Sequence, residues 1–514
     1  MAFGGDDGAL SFSDCRTVRR CCTRGPALAM ADAAPPGEPL RTFADEILFQ
    51  ARMRPEQPAI ALPDRLVTYA MFAKGLASVE ARLRALRLEP GELVAVAVTN
   101  PIRHLILVAA LFRLGQPSVS IDHPERVPDL RAAVRRCLQE GSATMTPGVA
   151  PVVVDDGWFS APPEAPLAAP GFARRDAVCR VEVSSGATGR PKAVASTLDD
   201  FARRLESQRV ADSLGVRDRV LMLIGLSSGW GFRAAVGILA SGGTLVFAGA
   251  PSEALQLAAA YRVDAIVAST AQARDLVQET RRTPIVGFAL RAALIGGGLP
   301  TRALLTEARA RLCVQTVVQY GATETGPIAI TPADFLMEDE GATGYPLPGV
   351  TIEVVDADDR PLPNGESGVV RVRTPSMGRA FPDGSEGAHP NLRGGWFYPG
   401  DRGRLTPDGM LALEGRASEV INAGGAKRAP ELIEETVLRH PNLAEVAAFG
   451  APGPDGIDEI HLAVVARAPI DERSLIEWCG RRGLAIASVL FVEALPRTPL
   501  GKIKREELKA RRLN

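Results

Sequence analysis

The chain has 514 residues, a length that points to two or more domains, and its 46% hydrophobic and 23% charged content is that of a globular protein. A formal net charge of -1 argues against nucleic acid or an anionic membrane surface as partner. No apolar run reaches the length that spans a bilayer. The seven cysteines are scattered without paired or metal-ligand spacing, and no histidine cluster joins Cys15 and the adjacent Cys21-Cys22. Free thiols in a reducing cytoplasm are therefore expected.

Residues 1–40 are expected to be a disordered extension, with Met30 as an alternative start. Arg19-Arg20 is followed by Cys-Cys-Thr-Arg-Gly-Pro, which is no apolar signal segment. From Val67 the chain predicts a helix through Leu86, a buried strand over 92–98, a helix over 105–112 and a strand over 117–121. Strand-like runs recur at 220–224, 244–247, 265–267 and 292–295 between helical stretches. This alternation predicts parallel sheets covered by helices, an α/β architecture.

Between 345 and 412 the texture changes to short alternating strands, 351–355 and 369–372 among them, separated by Pro363-Asn364-Gly365 and Pro407-Asp408-Gly409. A small barrel-like subdomain is the expectation. After Arg416 the pattern predicts a compact α+β unit with strands at 419–422, 447–450, 460–466 and 489–493. Helices are expected over 430–438 and 471–479, with Pro430 in the first turn of its helix. The basic stretch 502–512 reads as a solvated helix end or a phosphate-facing one.

Four segments carry chemistry. Val183-Ser184-Ser185-Gly186-Ala187-Thr188-Gly189-Arg190-Pro191-Lys192 gathers hydroxyls, glycines and a lysine after a strand. Small residues let backbone N–H groups crowd around a phosphate, and Lys192 adds a compact positive charge. It is not a Walker A loop, because no Gly-Lys-Ser/Thr closes it. Gln319-Tyr320-Gly321-Ala322-Thr323-Glu324-Thr325-Gly326 is a second glycine-bracketed turn. Trp396-Phe397-Tyr398-Pro399-Gly400-Asp401 leads to Gly415-Arg416-Ala417-Ser418-Glu419, and Pro496-Arg497-Thr498-Pro499-Leu500-Gly501-Lys502 stands near the end.

In this order and spacing the four segments resemble the superfamily of adenylate-forming enzymes, which holds acyl-CoA synthetases, adenylation domains of peptide synthetases and luciferases. The resemblance runs over residues 41–512. It implies an AMP-binding domain over 41–416, a mobile C-terminal domain over 417–514, and an acid–thiol ligase that forms an acyl-adenylate from ATP. Mg²⁺ is the implied metal and CoA the implied co-substrate. A stand-alone enzyme loading a separate carrier protein, or a degenerate nucleotide-binding member, are the alternatives.

By the same resemblance, Ser184, Ser185, Gly186, Thr188, Gly189 and Lys192 would clamp the triphosphate, with Ala187 replacing a usual hydroxyl residue. Glu324 would be the Mg²⁺-linked acid, Tyr320 the adenine neighbour beside Gly321, and Thr323 a phosphate contact. Asp401 and Arg416 would hold the ribose, with Pro399 where relatives have Thr. Gly296, Gly297 and Gly298 resemble the strand end that faces adenine and acyl group. Lys502 would be the catalytic lysine, and Ser418 the hinge. Gly425 and Lys427 would lie near the CoA approach.

Amino-acid-activating relatives carry an Asp in the segment Leu226-Ser227-Ser228-Gly229-Trp230-Gly231-Phe232, and this chain has none there. An α-ammonium would lack its partner in a buried pocket, so an acid without an α-amino group is expected. Ser227-Ser228 and Thr197 stand where many relatives have His. Trp230 and Phe232 either line the acyl pocket or belong to the core.

Overall fold

The computed structural model of the chain describes residues 40–122, 134–141, 148–160, 171–184, 192–283, 290–337, 341–380, 391–416, 419, 421–423, 426–428, 430–453, 458–497 and 503–513. The extension before residue 40, the hinge Ser418 and the lysine Lys502 lie outside them.

Two sheets share one layer of helices. The first has seven strands in the order Arg379–Ala380, Lys192–Thr197, Val178–Ser184, Ser118–Ser120, Leu93–Ala97, Val134–Gln139, Ala150–Val153. It is parallel from Val178–Ser184 onward, as the alternating pattern predicts. The parallel centre of the second runs Pro58–Ala61, Thr244–Phe247, Arg219–Met222, Ala265–Ser269, Leu290–Gly296 and Cys313–Ala322. Between the sheets lie the helices Phe43–Met53, Tyr69–Ala85, Pro101–Arg113, Leu198–Asp212 and Gly229–Ser241. The outer face of the second sheet is covered by Pro251–Ala260, Thr270–Glu279 and Arg302–Arg311.

Local sequence explains the helix ends. Asn100 Oδ1 accepts from the N–H groups of Ile102 and Arg103 at 3.0 and 3.2 Å, with Pro101 opening the helix. Thr197 and Asp200 form a reciprocal capping box, the Thr197 hydroxyl lying 2.6 Å from Asp200 Oδ2. Thr197 is thus occupied in starting a helix. Ser228 does the same for Gly229–Ser241.

The short strands after 341 form the antiparallel end of the second sheet. Gly326–Pro332, Ala342–Pro346, Leu411–Arg416, Asp401–Leu405, Gly368–Arg373, Trp396–Phe397 and Leu392–Arg393 follow one another, and Thr351–Val355 pairs with Gly368–Arg373. They continue an open sheet of fifteen strands, where the sequence suggested a barrel-like subdomain. The difference is the pairing of Ala342–Pro346 with both Gly326–Pro332 and Leu411–Arg416, which splices the region onto the parallel centre.

The C-terminal unit has its own core around Ile433, Val446, Leu462 and Leu475. Its three-stranded sheet runs Leu443–Pro452, Asp458–Ala466, Ile486–Phe491, and the helices Pro430–Val437 and Glu472–Gly480 fall where the sequence puts them.

The shared helical layer contains charge. Arg180 is buried, donates to Ser118 Oγ at 3.0 Å and Ser120 Oγ at 2.5 Å, and lies 4.1 Å from the ring centre of Phe232. Ser120 Oγ is 2.7 Å from His104 Nε2, and His104 Nδ1 is 3.0 Å from the Val98 carbonyl. A carbonyl only accepts, so Nδ1 carries the proton and Ser120 donates to Nε2. Burial, with Arg180 beside it, holds His104 down at about 4 and therefore neutral.

Gln208 Nε2 donates to Asp212 Oδ1 at 2.7 Å and to Gln319 Oε1 at 3.1 Å, tying the Leu198–Asp212 helix to the strand that carries Tyr320. Burial pushes the Asp212 carboxyl from its ordinary 3.8 up to about 7. In the unfolded chain Asp212 ionises near its ordinary value, so holding the proton stabilises the fold fully below that value. This stabilisation is lost as pH rises through about 7. Asp212→Asn cannot titrate and keeps the acceptor for Gln208. Its stability relative to wild type should rise by on the order of 2 kcal/mol between pH 5 and pH 8, measured by denaturant unfolding at both values. A pH-independent difference would show that Asp212 does not hold its proton near neutrality.

Candidate active site

The carboxyl ends of strands from both sheets meet, where open α/β sheets bind ligands. Val178–Ser184 ends at the hydroxyl- and glycine-rich loop, Leu290–Gly296 at the triple glycine, and Cys313–Ala322 at the Thr323-Glu324 turn. The segment 226–232 lies between them. A Cβ on Gly229 would stand 2.5–2.9 Å from the Glu182 carboxylate, and one on Gly296 would stand 3.0 Å from the Trp230 ring. Glycine at both places lets the segment press against both strands.

Asp401, Arg416 and Tyr320 form the best-defined group. Asp401 and Arg416 face each other across an antiparallel pair, and Arg416 Nε lies 3.0 Å from Asp401 Oδ1. The Tyr320 hydroxyl donates to Asp401 Oδ2. Burial raises the Tyr320 phenol well above its usual value and the Asp401 charge adds to it, so it stays a donor. Gly400 adopts φ +83, and the Pro399 carbonyl accepts from Arg416 Nη1 at 2.5 Å. Proline removes an N–H here, yet its carbonyl helps to orient the guanidinium. A carboxylate and a guanidinium so held can receive vicinal hydroxyls and an oxyanion.

Glu324 is 7% exposed and sits in the middle of a tight turn, in which the Thr325 N–H donates to the Ala322 carbonyl at 3.3 Å and Gly326 follows at φ +76. Its carbonyl accepts from Arg204 Nη2 and, at 2.7 Å, from the Gly378 N–H. The Thr323 carbonyl accepts from Arg204 Nη1 at 3.0 Å. Among the described residues no group of three or more His, Cys, Asp or Glu could hold a metal ion. One carboxylate near a triphosphate fits Mg²⁺, which keeps several waters and takes phosphate oxygens; it does not fit zinc.

Gly296 meets Trp230 and the Gln319 carbonyl, whereas Gly297, at φ +76, has nothing within 4 Å of a would-be Cβ. Gly298 faces Thr270, whose hydroxyl donates to the Gly298 carbonyl at 2.9 Å. The open edge is therefore at Gly297 and Gly298. The indole N–H of Trp230 is buried with no hydrogen-bond partner among the described residues. Phe232, the other pocket candidate, is 0% exposed. Its ring lies 5.9 Å from Phe43 and 6.1 Å from Phe201, under Arg180. Phe232 is a core residue, because its turn of the helix points into the shared layer.

Other candidates are less defined. Ser184 and Lys192 pair across the stem of the loop as strand residues. Ser185, Gly186, Thr188 and Gly189 lie outside the described residues, as do Ser418, Gly425 and Lys502. Lys427 is in a two-stranded ribbon opposite Asn422. The structure adds Glu182, Arg204 and Arg233, which the sequence reading passed over. Glu182 accepts from Arg233 Nη1 at 2.7 Å and lies 3.5 Å from Arg204 Nη1. Arg180 and Glu182 on one face of an otherwise apolar strand were a signal for this; Arg204, in a helix dense with charges, had none.

Comparison with known proteins places the chain in a family. The family of AMP-binding enzymes matches residues 48–381, and the AMP-binding enzyme C-terminal domain matches 432–502. The chain belongs to the AMP-binding enzyme family, and so to the adenylate-forming superfamily. It is 27% identical to a 2-succinylbenzoate–CoA ligase of Bacillus licheniformis, over 89% of this chain and 98% of that protein. It is also 27% identical to a feruloyl-CoA synthase of Amycolatopsis sp, over 90% and 97%. The o-succinylbenzoate CoA synthetase of Bacillus subtilis, in complex with its acyl-adenylate intermediate, superposes with a TM-score of 0.79 at 26% identity, covering 90% of this chain and 97% of that one. The same enzyme with ATP and magnesium gives 0.78 at 26% identity, covering 90% and 99%. Among the described residues no helix is long and apolar enough to cross a membrane.

Tyr320→Phe keeps the ring and removes the hydroxyl that Asp401 accepts. It should cost about 1 kcal/mol of stability and weaken AMP binding by less than about tenfold, since the ring face remains. Tyr320→Ala should weaken it by more than about tenfold. Thermal unfolding and calorimetric titration with AMP check both. Equal AMP affinity in Tyr320→Ala and wild type would remove Tyr320 from the nucleotide site.

Proposed function

We propose that the chain activates a carboxylic acid lacking an α-amino group, preferably an aryl acid, and transfers the acyl group to CoA. The observation that carries this is Asp401 held between the Tyr320 hydroxyl and Arg416, within a chain that matches its CoA-ligase relatives nearly end to end. In the first half-reaction a carboxylate oxygen of the acid attacks the α-phosphorus of ATP and pyrophosphate leaves. In the second the thiol sulfur attacks the acyl carbon and AMP leaves.

The residues divide the work. Asp401 and Arg416 would bind the ribose, and Tyr320 would lie against the adenine. The loop 184–192 would hold the triphosphate, and Glu324 would orient the Mg²⁺ that shields the phosphates. Lys502 would bring a cation to the α-phosphate where charge builds. An aryl acid is supported by the Trp230 indole beside Gly296, and by 2-succinylbenzoate and ferulate in the names of the relatives. The absence of an α-amino group is supported by Glu182. Its carboxylate abuts Gly229 in the 226–232 segment, and it is already committed to Arg233 and Arg204. We place the reaction in the cytoplasm, in keeping with the buried free thiols of Cys137, Cys179, Cys313 and Cys479.

Pyrophosphate and AMP release across a panel of aryl and alkyl acids, with and without CoA, tests the proposal. CoA-dependent AMP release is expected. Adenylate without thioester would point to another acceptor, such as a carrier protein, and silence throughout to a nucleotide-binding protein without turnover.

Two substitutions probe the assigned roles. Glu324→Gln should raise the Mg²⁺ concentration needed for adenylation while leaving the fold intact, since an amide has no charge to share with the metal. An unchanged Mg²⁺ titration would release Glu324 from that role. Lys502→Ala should slow adenylate formation by at least about a hundredfold and leave thioester formation from supplied acyl-adenylate near wild type. Equal damage to both half-reactions would contradict a lysine that serves only the first.

A further inference from the structure

We infer that Arg204 is a positioning residue: it fixes the Glu324 turn against the strands Val178–Ser184 and Lys192–Thr197, so that the turn and these two strands meet the metal–triphosphate as one unit. The inference rests on the proposed roles of Glu324 and of the loop 184–192.

Arg204 is 0% exposed, and its guanidinium meets four separate stretches of chain. Nη1 lies 3.5 Å from Glu182 Oε2, two residues before the loop opens at Ser184, and 3.1 Å from the hydroxyl of Ser196, beyond its close. Nη1 and Nη2 donate to the carbonyls of Thr323 and Glu324, and Nε donates to the Ser376 carbonyl at 2.9 Å. The planar fork of a guanidinium fixes the angles between these acceptors as well as their distances. An ammonium has three donors on one atom and cannot span them.

The opposite wall is shaped for the same contact. Gly378 donates its N–H to the Glu324 carbonyl at 2.7 Å, and a Cβ there would stand 2.6 Å from Arg204 Nη2 and 3.1 Å from that carbonyl. Gly326 sits over the stem of Arg204, a Cβ on it falling 3.4 Å from Cγ. The carbonyl of Glu324 is thus held by two donors while the loop stems are held by the same side chain. Movement of the turn relative to these two strands requires breaking bonds to a buried cation, which is costly. Tyr320, Asp401 and Arg416, by contrast, are held by one another.

The contrast between AMP and a metal–triphosphate provides the test. Full-length protein is titrated calorimetrically with AMP without metal, and with α,β-methylene-ATP in the presence of Mg²⁺. Arg204→Lys should weaken the Mg²⁺–analogue by about tenfold or more, and Ser196→Ala by about threefold, since hydrogen bonds to a charged group are lost. AMP affinity should stay within about twofold of wild type in both, because its contacts are held independently. Equal weakening of both ligands would reduce Arg204 to general stability, and no change in either would remove its role; both outcomes overturn the inference. Should Arg204→Lys fail to fold by circular dichroism, Ser196→Ala and Gly378→Ala carry the same comparison. Wild-type protein that binds AMP but not the Mg²⁺–analogue would instead sink the proposed role of Glu324, and this inference with it.

Discussion

The interior beneath the site is organised by a shortage of carboxylate. Arg180, Arg204 and Arg233 are all buried in or beside the shared helical layer, and Glu182 is the one carboxylate ion-paired with any of them among the described residues. Asp212, near Arg233, is a poor counter-charge because burial holds its carboxyl near neutrality. Burial, opposed by Glu182, lowers Arg180 and Arg204 to about 10, still far above physiological pH, so both remain cations. Excess positive charge is expensive in a protein interior unless every donor is satisfied. Hydroxyls, backbone carbonyls and the Phe232 ring face serve Arg180 and Arg204 in this way, while Arg180 Nε and Arg233 Nε are buried with no hydrogen-bond partner among the described residues. The result is fixed positive charge beneath the strand end at Ser184, of the sign that favours a polyanionic ligand.

That arrangement explains which parts of the site follow from sequence and which do not. The parallel strands, the helices expected over 105–112 and 430–438 and found over Pro101–Arg113 and Pro430–Val437, and the residue types of Asp401 and Arg416 are readable because local patterns dictate them: period, helix-end residues, and side chains that match a chemical task. Asp401 and Arg416 become partners simply because they stand in register on neighbouring antiparallel strands. Phe232 was open between pocket and core because an aromatic residue one turn into a helix suits either. The contact with Arg180 decides it, and that contact depends on the packing of two different sheets. The antiparallel strands after 341 were visible as strands, but whether they close or continue a sheet depends on Ala342–Pro346 finding partners on both sides. No local pattern encodes that. Arg204 is the extreme case, since it stands between a half-exposed Arg203 and an exposed Glu206 in a charge-rich helix while its acceptors lie 8 to 172 residues away.

Substitutions at expected positions also gain a physical account. Thr197 caps a helix and Ser228 caps another, so the hydroxyls that replace histidines are used for local backbone donors. The unpartnered indole N–H of Trp230 is the donor best placed by burial to need an acceptor, and a buried donor left without one is costly.

The C-terminal unit shows the opposite economy. Arg505 lies in a compact clamp, reaching Glu419 at 2.7 Å, Glu434 at 2.8 Å, Glu431 at 3.3 Å and the Ala448 carbonyl at 3.0 Å. Burial works against its charge, but the three carboxylates more than offset this and hold it firmly protonated. The clamp joins the residue just after the hinge position, the Pro430–Val437 helix and the segment that follows Lys502, so these three would travel together. The ion pair from Arg274 to Glu445, between the large domain and this unit, is different in kind. It spans 3.6 Å, its side chains are 28% and 26% exposed, and Glu445 is shared with Arg497 at 2.5 Å. A partly solvated pair of that kind contributes about 1 kcal/mol or less and loses little when water replaces the partner. A unit tied together internally by Arg505 and meeting the large domain at the partly solvated ion pair from Arg274 would suit the proposed role of carrying a lysine to the phosphate in one half-reaction and withdrawing it in the next.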